Sequence, residues 1–339
     1  SHAAIIARSM GLPTVVNTID GSVRVQNGDE IVIDGNAGFV HLRPDNNLER
    51  FYRSKLRRQQ RRRRDLVHRR MLPPETVDGH TVDLLANIDL ATELQIAQDN
   101  GARGVGMYRT EYLFLGHRLP TEEEQFEAYS TIVKAVTPAP VTIRTIDLGG
   151  DKLSHVMDVK PEDNPFLGWR GIRVCLDETA LFKAQLKALL RAGSLGEVQI
   201  LLPMVSDLSQ VTQVRELLRE VQNELSKTSH EFCESCKIGI MVEVPAVVMM
   251  IDEFASTCDF LSLGTNDLTQ YALAVDRGTS RVAGLYDPFH PAVLRMIKAV
   301  VEAGKRNSIP VSICGEMAGD PLATQMLIGL GLNQLSLSP

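Results

Sequence analysis

From Thr81 to its end the chain repeats one theme, a short apolar run followed in most cases by a helix-length amphipathic stretch. The runs are Val82–Ala86, Val105–Tyr108, Thr142–Ile146, Gln199–Met204, Ile238–Val242, Phe260–Leu263, Val311–Ile313 and Leu335–Leu337. Between them Thr121–Val136 opens on a threonine and an acidic first turn, and Asp177–Arg191 and Leu208–Leu225 carry apolar residues at helical spacing. Eight such alternations over about 250 residues is the arithmetic of a (β/α)8 barrel of the α/β class. A doubly wound open sheet is the competitor, because alternation alone does not show closure.

What precedes this region reads differently. Residues 1–42 combine an apolar helical start, Ala3 to Met10, with short β-like runs at Val23–Val25 and Glu30–Ile33, punctuated by glycines. That is too little chain to bury its own core. It is expected to be the C-terminal part of a domain whose larger share lies upstream. Residues 43–75 form the next segment. Within it Arg50 to Arg70 holds eleven Lys or Arg in twenty-one residues with no Gly or Pro, until Pro73 and Pro74 end it. A solvated linker helix is the expectation, with a basic contact surface for an acidic protein or a nucleic acid as the alternative. Residues 76–339 then make the barrel, and since the chain stops at Ser338-Pro339 the last helix is expected to be missing.

Composition excludes some classes. No apolar run approaches the roughly 20 residues of a membrane helix. A formal net charge of −6 argues against nucleic acid as a partner of the whole chain. Five scattered cysteines suit a reducing cytoplasm. Cys233 and Cys236 form a C-x-x-C pair, but no second pair or His cluster completes the four ligands zinc wants. An opening on Ser1-His2, with neither an initiating Met nor a basic leader, is expected of a piece of a longer protein.

A barrel demands that its chemistry sit at the carboxyl ends of the strands. The unusual polar residues meet that demand. Arg109 follows the second run, Arg144 lies in the third, and Arg170 is in the loop beyond it. Glu243 ends the fifth, Asn266 and Asp267 follow the sixth, and Cys314 closes the seventh. Several arginines at one mouth repel one another unless a polyanion sits among them, and their planar forks suit phosphate and carboxylate. Glu243 and Asp267 suit a magnesium ion that keeps waters and takes substrate oxygens. Arginines and a hard cation around a phosphoester describe a phosphoryl-transfer site. His2 precedes what reads as the first turns of a helix, where a phosphoryl group on the imidazole would meet free backbone N–H groups and the positive end of the dipole.

The segment Ser1-His2-Ala-Ala-Ile-Ile-Ala-Arg-Ser-Met-Gly-Leu-Pro13 resembles the phosphohistidine signature of the phosphoenolpyruvate (PEP)-utilising enzymes. Within them, Tyr108-Arg109-Thr-Glu-Tyr-Leu-Phe114 and Arg144-Thr-Ile-Asp-Leu-Gly-Gly-Asp-Lys152 resemble the PEP–protein phosphotransferases, the enzyme I type, sugar-related or nitrogen-related. Pyruvate phosphate dikinase and PEP synthase differ at both places; Gly264–Gln270 is common to all. The resemblance implies PEP held by Arg109, Arg144, Arg170 and Arg277, with Asn266 on the phosphate and Mg2+ on Glu243 and Asp267. It implies attack by His2 on phosphorus, proton donation by Cys314 to the enolate of pyruvate, and transfer onward to a histidine of a small phosphocarrier protein. It further implies a cytoplasmic protein that dimerises through the barrel when full-length. A dikinase or synthase is the alternative enzyme. A PEP-sensing regulator that uses its basic helix to contact a partner is the alternative of another class.

Overall fold

The computed structural model describes residues 7, 11–16, 18, 24–70, 72–149, 162–279 and 281–339. These divide into two compact units, Ser1–Leu72 and Pro73–Pro339.

In the first unit, strands β1 (Ile31–Asp34) and β2 (Phe39–Leu42) pair antiparallel, Ile31 opposite Leu42. Helix α1 (Asn46–Arg69) follows, and the Asp45 carboxylate caps it by accepting from the Asn47 and Leu48 N–H groups. Of the Val23–Val25 run, the described residues Arg24 and Val25 are not in a strand: Arg24 is helical and Val25 irregular. A short apolar run is ambiguous until a neighbouring strand offers its backbone groups. Residues Arg57, Arg58, Arg61, Arg62 and Arg64 of α1 are exposed.

In the second unit eight parallel strands close into a barrel. They are β3 (Asp83–Ile88), β4 (Val105–Tyr108), β5 (Val141–Arg144), β6 (Val198–Leu202), β7 (Lys237–Val242), β8 (Phe260–Leu263), β9 (Val311–Ile313) and β10 (Gln334–Leu337), and β10 returns to pair with β3. Helices α2 (Glu93–Asp99), α3 (Glu122–Val136), α4 (Ile172–Asp177), α5 (Thr179–Ala192), α6 (Leu208–Leu225), α7 (Pro245–Met249), α8 (Ile251–Thr257), α9 (Thr265–Leu273), α10 (Pro291–Asn307) and α11 (Pro321–Gly329) connect them. Closure removes the open-sheet alternative.

Local sequence explains the helix starts. Thr121 and Glu124 form a reciprocal capping box on α3, Asp207 and Gln210 another on α6, and Pro291 and Pro321 occupy first turns. The strands alternate between two apolar regions. Ile200, Leu202, Ile240, Val242, Leu261 and Leu263 join the large core under the helices, while Met107, Leu201, Met241, Phe260 and Cys314 form a separate cluster inside the barrel. The Phe260 ring fills that interior closely enough that a Cβ at Gly239 would lie 2.4 Å from it. The barrel interior is therefore plugged by its own side chains, and in this fold the chemistry is carried at the carboxyl-end mouth. No described helix is long and apolar enough to cross a membrane.

Candidate active site

The mouth is built from residues that stop strands or begin the next helix. Arg144 is the last residue of β5, Arg109 follows β4, and Glu243 follows β7. Asn266 and Asp267 lie in the first turn of α9, directly after β8. Cys314 follows β9. Arg170 and Arg277 come from the loops after β5 and α9.

A chain of ion pairs links most of them. Arg144 donates to Glu111 at 2.9 Å and pairs with Asp147 at 3.0 Å. Arg170 donates to both oxygens of Asp147, at 2.9 and 3.1 Å, and its Nη1 stands 3.6 Å from Asp267 Oδ1. Arg277 reaches the other Asp267 oxygen at 3.9 Å. Arg109 is held separately by Asp89 at 2.9 Å. The side chains of Arg144 and Arg170 are about one-tenth exposed, whereas Arg109 and Arg277 are 30% and 37% exposed. The inner pair is set in the wall, and the outer pair stands nearer solvent.

The carboxylates are strained by burial. Glu243 is buried, and one oxygen accepts the Met204 backbone N–H at 2.6 Å. Loss of solvent, then Asp147 and Asp267 nearby, push its proton affinity up, against the pull of Arg144 and Arg170. Met204 adopts a left-handed backbone, φ 57°, a conformation uncommon for a side chain of its kind. Asp267 Oδ1 is buried with no hydrogen-bond partner. A Cβ at Gly264 would lie 3.0 Å from Glu243 Oε2, so the glycine keeps the space beside that oxygen open. Among the described residues no group of three or more metal-ligating side chains is assembled. Two carboxylates with an unsatisfied oxygen suit a magnesium ion, which completes its shell with water and substrate oxygens.

Cys314 is buried inside the cluster with Met107, Leu201, Met241 and Phe260. Burial raises its proton affinity, opposed by the Ser262 hydrogen bond and by Arg144 and Arg109, while Glu243 adds to it. A thiol with its proton affinity raised in this way stays protonated and is a weak nucleophile. Asn266 accepts the Glu316 backbone N–H on Oδ1 at 2.9 Å, and its carbonyl accepts from Tyr286 at 3.2 Å. The mouth thus gathers Arg109, Arg144, Arg170, Arg277, Glu243, Asn266, Asp267 and Cys314. His2 lies outside the described residues.

Sequence reasoning did not give roles to Glu111 and Asp147, although both stand in the motifs around Arg109 and Arg144. Their acidic character two or three positions after a strand-end arginine was the available signal. Asp89, at the end of β3, carried the same strand-end signal. Tyr271, whose hydroxyl accepts from Arg170 at 3.4 Å and donates to the Phe166 carbonyl, had none.

Residues 63–339 match the family described as PEP-utilising enzyme, PEP-binding domain, and residues 1–38 match the PEP-utilising enzyme mobile domain. A phosphoenolpyruvate-protein phosphotransferase of Staphylococcus carnosus (strain TM300) is 43% identical over 339 residues, covering all of this chain and 59% of that protein. One of Geobacillus stearothermophilus is 43% identical over 342 residues, with the same coverage. The chain thus spans 59% of the length of these curated relatives. Among solved structures, a citrate lyase from Burkholderia xenovorans LB400 is similar at 14% identity over 79% of this chain and 76% of that one, with a TM-score of 0.47.

Proposed function

The chain belongs to the PEP-utilising enzyme family, and from that premise we propose that its barrel mouth binds PEP for phosphoryl transfer to His2, with pyruvate released. In the full-length protein the group would pass from His2 to a histidine of a small phosphocarrier, as the first step of a cytoplasmic phosphotransferase system. The names of the relatives favour this over a dikinase or synthase. The observation that carries the proposal is the chain of ion pairs from Glu111 through Arg144, Asp147 and Arg170 to Asp267 and Arg277. Such a chain, three carboxylates against three guanidinium groups, holds the guanidinium groups at fixed positions around the mouth.

The chemistry follows from where those groups stand. Arg144 and Arg170 are already oriented, so they meet the phosphate and carboxylate of PEP with little reorganisation. Arg109 and Arg277 close from the solvent side, and Asn266 contributes its amide to the phosphate. Glu243 and Asp267 would hold Mg2+, which when bound supplies positive charge against the phosphate and the developing enolate. As the P–O bond to the enol oxygen breaks, the His2 imidazole takes the phosphoryl group in line. Cys314 then protonates the methylene carbon. Residues 1–42 are read as the end of the domain that carries His2, 43–75 as its linker, and 76–339 as the PEP-binding barrel. Dimerisation through the barrel belongs to the same reading.

The test uses the full-length protein, labelled PEP and the carrier, without nucleotide. Label on the His2 peptide and then on the carrier is expected. Labelling that requires AMP or pyrophosphate, or none at all with Mg2+ present, would overturn the reading.

A further inference from the structure

Beneath the mouth lies a buried polar ladder that the reaction as described does not use. Ser262 of β8 and Ser312 of β9 are register partners, and both are buried. The Ser312 hydroxyl donates to Ser262 Oγ at 3.1 Å, and Ser262 Oγ donates to Cys314 Sγ at 3.3 Å. The thiol in turn faces the Leu263 carbonyl at 3.6 Å. On the other side of the residue, Asn87 of β3 donates its amide to the Cys314 carbonyl at 2.9 Å and to the Ser336 carbonyl at 3.1 Å. Ser336 completes that half by donating to Asn87 Oδ1 at 2.6 Å. Cys314 is therefore pinned at both its sulfur and its backbone, within an otherwise apolar cluster.

A barrel interior of this kind is usually filled by branched aliphatic side chains. Two serines there give up apolar burial, and each hydroxyl must find a partner or cost free energy. The Ser312–Ser262 hydrogen bond uses one of the two hydroxyl protons, and the Ser262 proton is left to find an acceptor of its own. Here the pair has a direction, and it ends on sulfur. The charged groups facing the thiol are Arg109 from the end of β4, Arg144 from the end of β5 and Glu243 from the end of β7. Ser262 is the neutral donor among them, and it approaches from the eighth strand.

We propose that Ser262, oriented by Ser312, is a positioning residue for Cys314: its hydroxyl aims the thiol and holds the negative charge left on sulfur after proton donation. This rests on the reading of Cys314 as the proton donor. The step balances simply. The S–H bond breaks with its electron pair kept by sulfur, and the enolate's pair forms the new C–H bond of pyruvate. The thiolate that remains accepts a charge-assisted hydrogen bond from Ser262, which is stronger than the neutral one it replaces. Reprotonation from solvent then resets the thiol.

The experiment uses the full-length protein with Mg2+ and reads two quantities. One is the thiolate absorbance against pH, taken as the difference from Cys314→Ser so that the other thiols cancel. The other is the rate of pyruvate release from PEP. Ser262→Ala is expected to raise the thiolate midpoint by about one to two units and to slow pyruvate release about tenfold to a hundredfold, the loss of one hydrogen bond to a charged group. PEP affinity should be unchanged. Ser262→Thr, which keeps the hydroxyl, should restore the midpoint, and Ser312→Ala should give a smaller shift in the same direction. If Ser262→Ala unfolds the barrel, the Ser312→Ala and Ser262→Thr pair decides. A midpoint that does not move in Ser262→Ala, or in Ser312→Ala if that pair must decide, overturns the proposal. If the parent protein releases no pyruvate, the proposed function falls, and the spectrum alone decides whether Ser262 supports the thiolate.

Discussion

Asp147 receives Arg170 through both of its oxygens, at 2.9 and 3.1 Å, while the same carboxylate pairs with Arg144 at 3.0 Å. One buried anion thus fixes two guanidinium groups from different segments, the end of β5 and the loop after it. Both arginines stay ionised at any working pH, so the site depends on keeping their partner charged.

Asp147→Asn should expose that dependence. The amide keeps the shape but leaves two buried cations sharing less negative charge, and breaking such a pair costs about 3–5 kcal/mol. Chemical denaturation should read a loss of that order, and calorimetric titration should show PEP affinity falling at least tenfold. Wild-type stability in this variant would mean that the arginines do not need the bridge.

Glu243→Gln should separate stability from function. The amide oxygen can still accept the Met204 N–H, while a buried carboxylate crowded by Asp147 and Asp267 is removed. The melting temperature is expected to hold or rise, whereas Mg2+-dependent PEP binding should be lost. A parallel fall in both would show that the carboxylate is needed for folding.

The metal-free protein should show a linked pH effect. Burial pushes Glu243 from 4.5 up to about 8. A group whose proton affinity is higher in the folded state contributes stability below its unfolded value and loses it as pH rises through the folded one. Stability without metal should therefore decline from about pH 4.5 toward pH 8 in comparison with Glu243→Gln. Mg2+ should flatten the decline. Equal pH profiles for the two proteins in chelator would contradict this.

Gln185 links the helices to the mouth. Its Oε1 accepts the Ile146 N–H at 3.1 Å, and its Nε2 donates to Tyr129 at 3.1 Å, which donates to Gln125 at 3.0 Å. Gln185→Leu leaves the buried Ile146 N–H without a partner, a cost of about 1–3 kcal/mol. Urea unfolding should show that loss, with a severalfold weaker PEP affinity because the loop carrying Asp147 is no longer tethered.

Helix α1 offers the opposite expectation. Replacing Arg61, Arg62 and Arg64 by Gln changes an exposed basic face, and surface changes of this kind stay within about 0.5 kcal/mol per site. PEP binding by the barrel should be unaltered. Altered PEP affinity would instead favour a regulatory role for the basic run.

The alternation of apolar runs with amphipathic stretches was enough to announce eight strands and their helices, because strand burial and helix spacing are local patterns. The rule that places chemistry at strand ends and in the loops after them singled out Arg109, Arg144, Arg170, Glu243, Asn266, Asp267 and Cys314 by position, and the motif resemblance added Arg277. Closure of the sheet was decided only in three dimensions, when β10 met β3, because hydrogen bonding between residues some 250 positions apart leaves no local trace. So were the partners of the site. Asp147 stands three residues from Arg144 but also clasps Arg170, and Ser262 reaches Cys314 from a neighbouring strand. Sequence fixes which charges and hydroxyls exist; which of them share a buried space, and so how each is tuned, depends on side chains brought together by the closed barrel.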